Sequence, residues 1–359
     1  MTRGARKLGW KLPGNPGPGN AITDVEGVLV GQTTLMEPAG LIRTGVTAIL
    51  PIGHSTDARI VHAGIHVLNG NGEMTGAHWI RDAGYFLGPI CITNTHSVGI
   101  AHHAAVKWMI EKYGELFRDA HIWAMPVVAE TYDGVLNDIN GQHIREEHVL
   151  SALNGAGAGP VAEGNSGGGT GMICYEFKGG TGTSSRKIGI GGKEYTVGVL
   201  VQANHGRREW LTILGEPVGV NMLNDRLFER ERGSIIVVIA TDAPLRPDQL
   251  DRLARRGAIG ISRSGTPGGN SSGDIFLAFS TANARPLPQL DEPVQSFRHL
   301  NDEVLDDLYE ATVEATDESI LNAMLAAEDV STLKPAGHTC KAIDGAAVTE
   351  MLRAAGKSY

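Results

Sequence analysis

The sequence predicts a mixed α/β fold in which sheets are covered by helices in layers. Short β-branched runs that look buried on both faces recur along the chain, and helical stretches with ordinary start and stop residues stand between them. A strand buried on both sides needs cover on both sides, and that requirement produces layers. The third observation is glycine: 48 of 359 residues, nearly twice the usual ~7%, gathered in patches between these elements.

Taken in order, the opening "MTRGARKLGWKLPGNPGPGN" is basic, then rich in Pro and Gly. It lacks the apolar h-region of a secretory signal and reads as the N-terminal arm of a cytoplasmic protein. "VTAIL" (46–50) is the first buried strand. "VGIAHHAAVKWMIEKYG" is a helix predicted to stop at Gly114, and "HIREEHVLSALNG" a helix ending at Asn154 and Gly155. Glycine patches at 154–171 and 179–192 suit tight turns or close approach of backbone to a ligand. The strand "VGVLVQA" (197–203) follows, then the charged segment "NDRLFERERG" (224–233), read as an exposed loop, and the strand "IIVVIAT" (235–241). "PDQLDRLARRG" opens a helix on Pro247 and closes it on Gly257. A third glycine patch, 264–273, leads into "IFLAFS" (275–280), and the residues after "ARPLPQLDEP" (284–293) read as mostly helical.

Composition excludes several functions. No apolar run approaches the ~20 residues of a membrane span, and a net charge of -9 offers no basic footprint for nucleic acid. Small molecules or peptides are the expected partners. Cys91, Cys174 and Cys340 are far apart and odd in number, which suggests neither a disulfide framework nor a zinc knuckle. The glycine-rich stretches match neither the dinucleotide fingerprint nor a P-loop. Two G-x-S-x-G matches, at Ser166 and Ser271, lack the strand-then-helix context of a nucleophile elbow. The thirteen histidines include no H-E-x-x-H, so no metal site is expected from them.

What remains is the edge between Gly233 and Ser234, where charge gives way at once to a buried strand. Gly-Ser before a strand is common turn chemistry. If the bond before Ser234 were cut, however, the serine would gain a free α-amine beside its hydroxyl. Such an amine ordinarily titrates at ~7.7–8, so one residue would hold both nucleophile and base. Glycine at 233 would also allow the strained backbone that attack on its carbonyl demands.

Six segments then weigh together: "AETYDG" (129–134), "GNSGGGTGM" (164–172), "KGGTGTSSR" (178–186), "VLVQANHG" (199–206), "RGSIIVVIATDAPL" (232–245) and "SSGDIFLAFSTAN" (271–283). In this order they resemble the L-aminopeptidase/D-amidase-esterase family, which includes the β-aminopeptidases, self-cleaving hydrolases of the N-terminal-nucleophile type. The likeness runs from "AITDVEGVLVG" (21–31) to the C-terminal helices. It implies a four-layer αββα sandwich forming a single catalytic domain over 1–359, with fragments 1–233 and 234–359 after autocleavage at Gly233-Ser234. It implies Ser234 as nucleophile, Ser272 and Asp274 as its assisting pair, Asn204 and Tyr132 as donors to the oxyanion, and Glu130 as the acid that receives the substrate's free amine. Ser272 and Asp274, at i and i+2 of an extended segment, share one face.

The resemblance further implies hydrolysis of small peptides, amides or esters after a small N-terminal residue such as β-alanine, L-alanine or D-alanine, through an acyl-enzyme on Ser234, a mechanism that needs no metal or organic cofactor. It also implies a homo-oligomer, a tetramer of cleaved heterodimers. Two other functions fit the same fold: acyl transfer to an amine, as in ornithine acetyltransferase, and an uncleaved binding protein. Serine rather than threonine at 234 and the acid Glu130 favour hydrolysis over transfer.

Overall fold

The structure is a computed structural model and describes residues 4–37, 40–287 and 293–357. Strands β1 (Leu29–Met36), β2 (Arg43–Leu50) and β3 (Arg59–Gly70) come first. Helix α1 (Ala77–Ala83), β4 (Tyr85–Leu87), β5 (Ile90–Asn94), α2 (Val98–Asp119), β6 (Val127–Thr131) and α3 (Glu146–Asn154) follow. After a glycine-rich connection come the two-residue strands β7 (Ile173–Cys174) and β8 (Phe177–Lys178), then β9 (Gly180–Ile190) and β10 (Lys193–Asn204). The chain continues with β11 (Ser234–Thr241), α4 (Pro247–Arg263), β12 (Gly273–Pro286) and α5 (Asp306–Leu325). It closes with β13 (Val330–Leu333), β14 (Ala336–Cys340) and α6 (Gly345–Ala354).

One sheet has the order β1-β2-β5-β6 and the other β4-β3-β12-β11-β10-β9. Only β5/β6 and β11/β12 run parallel among the pairs of these two sheets. Alternation along each strand assigns the layers. In β11, Ile236, Val238 and Ala240 join Ile49, Ile92 and Ala129 in the core between the sheets. Ile235, Val237 and Ile239 point the other way, into a core shared with Leu250 and Leu253 of α4 and Leu308 and Ala315 of α5. On the far side, Val46 and Ala48 of β2 meet Ala101 and Ala105 of α2 and Val149 of α3. Helices, sheet, sheet and helices therefore stack in four layers. Every residue of β2 and of β11 is buried, as strands covered on both faces must be.

Several boundaries differ from the sequence reading. Helix α2 passes through Gly114 to Asp119, with a kink at Tyr113, because Leu116 and Phe117 still find the core. Helix α4 passes through Gly257, which is interior because a β-carbon there would lie 2.5 Å from the Phe276 ring. The patch at 179–192 is mostly strand β9: Gly182 lets α5 lie against it, a β-carbon there falling 1.9 Å from the Ser319 carbonyl. Only Gly191 and Gly192, with φ of 59° and 77°, form the tight hairpin turn. The C-terminal region contains the hairpin β13–β14 between its helices. The N-terminal arm is packed, with Ala5, Trp10 and Leu12 in the core and the Trp10 indole donating to Thr349 at 2.9 Å. The Pro-rich stretch at 284–293 lies partly outside the described residues. Among the described residues no helix is long and apolar enough to cross a membrane.

Candidate active site

Three strand ends converge at one edge of the six-stranded sheet. Ser234, the first residue of β11, lies opposite Asn204, the last residue of β10. On its other side β12 starts in parallel, with Asp274 in register with Ile235. Ser234 is 7% exposed, and its Oγ accepts a hydrogen bond from the Gly273 N–H at 3.1 Å. That bond holds the Ser234 oxygen beside the start of β12.

Ser272 and Asp274 flank Gly273 and are buried. The Ser272 hydroxyl donates to Asp274 Oδ1 at 2.5 Å. Asn69, at the end of β3, donates to Asp274 Oδ2 at 3.3 Å and to the Gly269 carbonyl at 3.0 Å. Burial pushes the Asp274 carboxyl above its ordinary value, and the bonds from Ser272 and Asn69 oppose that rise. With its proton committed to Asp274, Ser272 Oγ has only lone pairs to offer a third group, which suits an amine donor.

Asn204 is held from both ends of its amide. Its Oδ1 accepts from the Ile173 N–H at 2.7 Å, and its Nδ2 donates to the Tyr132 carbonyl at 3.0 Å. These bonds assign the amide's two ends and leave one N–H beyond the contact with Tyr132. Gly233 packs on the main chain of Asn204: a β-carbon would lie 1.7 Å from the Asn204 carbonyl oxygen. Its φ is outside the left-handed region. Close approach by itself leaves no room for a side chain at position 233. A cavity of about 20 Å³ remains between Tyr132, Asn204, Phe228, Arg232 and Gly233, room for roughly one water.

The second sheet supplies Glu130 and Tyr132 from the end of β6. Glu130 is 4% exposed. Its Oε1 accepts from the Glu73 N–H at 3.0 Å, and its Oε2 accepts from the Thr95 hydroxyl. Burial raises the carboxyl's pKa, and these two bonds work against the rise. The Tyr132 ring is 39% exposed, and its hydroxyl lies over Gly134, within 2.4 Å of where a β-carbon would sit. The site thus lies where the two sheets meet, joined through the bond between Asn204 and Tyr132. Ser234, Asn204, Ser272 and Asp274 stand together there, with Glu130 and Tyr132 on the facing strand end.

Asn69, Thr95 and the N–H groups of Glu73, Ile173 and Gly273 carry no signal in the sequence. Asn69 sits in "VLNGNG", an ordinary strand-to-turn sequence, and main-chain donors leave no mark in side-chain identity. Among the described residues no group of three His, Cys, Asp or Glu side chains is placed to hold a metal ion.

Solved structures share this arrangement of layers. The L-aminopeptidase D-Ala-esterase/amidase from Ochrobactrum anthropi, described as a prototype for the serine aminopeptidases and a variant of the Ntn hydrolase fold, is 53% identical. Each chain covers 100% of the other, with a TM-score of 0.95. A β-aminopeptidase from Burkholderia sp. is 47% identical, with coverage of 98% and 99% and a TM-score of 0.89. The fold is that of an Ntn hydrolase, and the protein is an enzyme of the serine aminopeptidase class. The sequence profile of peptidase family S58 matches residues 20–338, and the chain belongs to that family. The β-peptidyl aminopeptidase BapA of Sphingosinicella microcystinivorans is 46% identical over 97% of this chain and 91% of its own length.

Proposed function

We propose that this aminopeptidase hydrolyses the amide or ester bond after a small N-terminal residue, such as β-alanine, L-alanine or D-alanine, through an acyl-enzyme on Ser234. The observation that carries the reading is the placement of Ser234 at the buried start of β11, with its hydroxyl held by the Gly273 N–H and the Ser272–Asp274 pair one residue to either side. Cleavage of the Gly233-Ser234 bond supplies the base. The Ser234 hydroxyl attacks the Gly233 carbonyl, giving an ester in an N-to-O acyl shift, and water hydrolyses that ester to leave the α-amine free.

In turnover the Ser234 oxygen attacks the carbonyl of the substrate's first residue while its proton passes to the α-amine, which Ser272 and Asp274 orient. The free N–H of Asn204, with Tyr132, faces the developing oxyanion. The carbonyl–nitrogen bond then breaks, the leaving amine takes the proton, and water releases the acyl group from Ser234. Glu130 pairs with the substrate's ammonium, which restricts attack to the first residue.

Fragments 1–233 and 234–359 stay together in this account, because β11 and β12 of the second lie between β3 and β10 of the first. The account carries with it a tetramer of such heterodimers and a cytoplasmic setting, where three buried thiols are at home.

The test is mass spectrometry of the enzyme quenched during turnover of a β-alanyl or alanyl ester. Mass equal to the acyl group should appear on fragment 234–359 and vanish when substrate is exhausted. Turnover with no acylated fragment at any quench time would contradict the mechanism.

A further inference from the structure

Strands β7 and β8 form a hairpin in which Cys174 pairs with Phe177, so its turn is Tyr175 and Glu176 alone. Both have left-handed backbone, with φ of 51° and 60°, a conformation that two-residue turns ordinarily fill with glycine or asparagine. Both are also buried. A buried carboxylate on unfavourable backbone persists only where its surroundings hold it. The partners that hold Glu176 belong to the chain running up to Ser234. Its Oε2 accepts from the N–H groups of Leu227 at 2.9 Å and Phe228 at 3.1 Å, and its Oε1 accepts from the Arg208 N–H at 3.2 Å. Arg208 is buried too, and its guanidinium works in the opposite sense. Nη1 donates to the carbonyls of Met222 at 2.6 Å and Asn224 at 3.1 Å, while Nε and Nη2 donate to the carbonyls of Tyr175 at 2.9 Å and Glu176 at 2.7 Å. An anion on two amides and a cation on two carbonyls thus grip one stretch, 222–228, and both are tied to the same turn. Beyond that stretch Glu229, Arg230 and Arg232 are exposed. The chain is fastened again at Glu231, whose Oε1 accepts from the Gly206 N–H at 2.9 Å, and at Gly233, packed on the Asn204 main chain.

We infer that Glu176 is a positioning residue for self-cleavage, anchoring the chain at Leu227 and Phe228 so that the Gly233 carbonyl is presented to the Ser234 hydroxyl. The inference rests on the proposed cut at Gly233-Ser234. Attack within one chain is fast only while the carbonyl is held at the hydroxyl. Leu227 and Phe228 also rest on a small apolar cluster with Leu136 and Ile173. Apolar contact is non-directional, so the two charge-assisted bonds from Glu176 set where along the chain the hold falls. In turnover the attacked carbonyl belongs to a separate molecule oriented by Glu130, and the anchor is not required.

The test is a time course of self-cleavage after cell-free synthesis, followed by intact mass, for the wild type, Glu176→Gln and Glu176→Gly. Glutamine keeps the length and loses the charge. Glycine loses the side chain but suits the left-handed backbone, so the turn is kept in the second variant even where the first unsettles it. Both variants should cut about tenfold or more slowly than the wild type. Per cut chain, each should hydrolyse an alanyl amide with kcat and KM within about threefold of the wild-type values. Cutting at the wild-type rate in either variant would overturn the inference and leave the proposed function standing. So would a slowed cut with an equal loss of turnover per cut chain and a lowered melting temperature, the mark of general loosening. A wild type that never cuts would overturn the proposed function and this inference with it.

Discussion

Replacing Gly233 by alanine tests how the candidate cleavage site is built. The new β-carbon would fall 1.7 Å from the Asn204 carbonyl oxygen, 2.7 Å from its carbonyl carbon and 2.8 Å from the His205 Cα. All three are main-chain atoms at the end of the β10–β11 ladder, where Asn204 is in register with Ser234, so none can rotate away. Relief requires the 233 backbone to move by more than an ångström. Overpacking of this kind costs about 1–3 kcal/mol, and a displacement of about 1 Å at a reacting carbonyl costs about 10²-fold in rate. Gly233→Ala should therefore lower the melting temperature by a few degrees and accumulate as an uncut chain. The assay is intact mass at intervals after cold purification, with Arg232→Ala as control, since that side chain is exposed. A Gly233→Ala protein cut as fast as the wild type would refute the reasoning that close packing, and not chance, puts glycine before Ser234.

Three further perturbations follow from the site. Glu130→Gln removes the charge but keeps an acceptor for the Glu73 N–H; losing a charge-assisted bond of about 1.5–3 kcal/mol should raise KM for amine-bearing substrates about 10- to 100-fold, with kcat changed far less. Asn69→Ala removes a donor that opposes the rise in the Asp274 carboxyl, so the acid limb of the kcat profile should move to higher pH; a lower kcat with an unmoved limb would make Asn69 merely structural. Asp133 is buried, and burial pushes its carboxyl up to about 7 against the bond that Asn137 donates to its Oδ1. Its folded value exceeds its unfolded one, so the folded chain keeps a proton that the unfolded chain has lost, and stability falls as pH rises from about 4 through about 7. Asp133→Asn should flatten that fall, so that between pH 5 and pH 8 the wild type loses more in melting temperature than the variant does; parallel losses would contradict it.

The layers were legible because burial on both faces writes itself into a strand: "IIVVIAT" has no polar side until Thr241. The helix ends were less so. Gly257 looked like a stop because, along the sequence, nothing distinguishes a glycine that ends a helix from one that admits a distant ring. The ring is Phe276, brought there by the β11–β12 pairing. The patch at 179–192, which suits tight turns or close approach to a ligand, is mostly strand β9 for the same reason, its Gly182 answering to α5 more than a hundred residues away. At the site, Ser234 stood out by its place at an abrupt edge, while the roles given to Asn204, Tyr132 and Glu130 came from family likeness. Asn69 was invisible, since its bond to Asp274 spans 205 positions of sequence and exists only because β3 pairs with β12.

The central claim is that Ser234 cuts the chain before itself and then serves as the nucleophile. Intact mass of freshly purified wild type beside Ser234→Ala tests it most directly. The account predicts fragments 1–233 and 234–359 in the wild type and one chain in the variant, with activity on alanyl and β-alanyl amides only in the first. A single stable chain in both would remove the free amine from the mechanism and contradict the account.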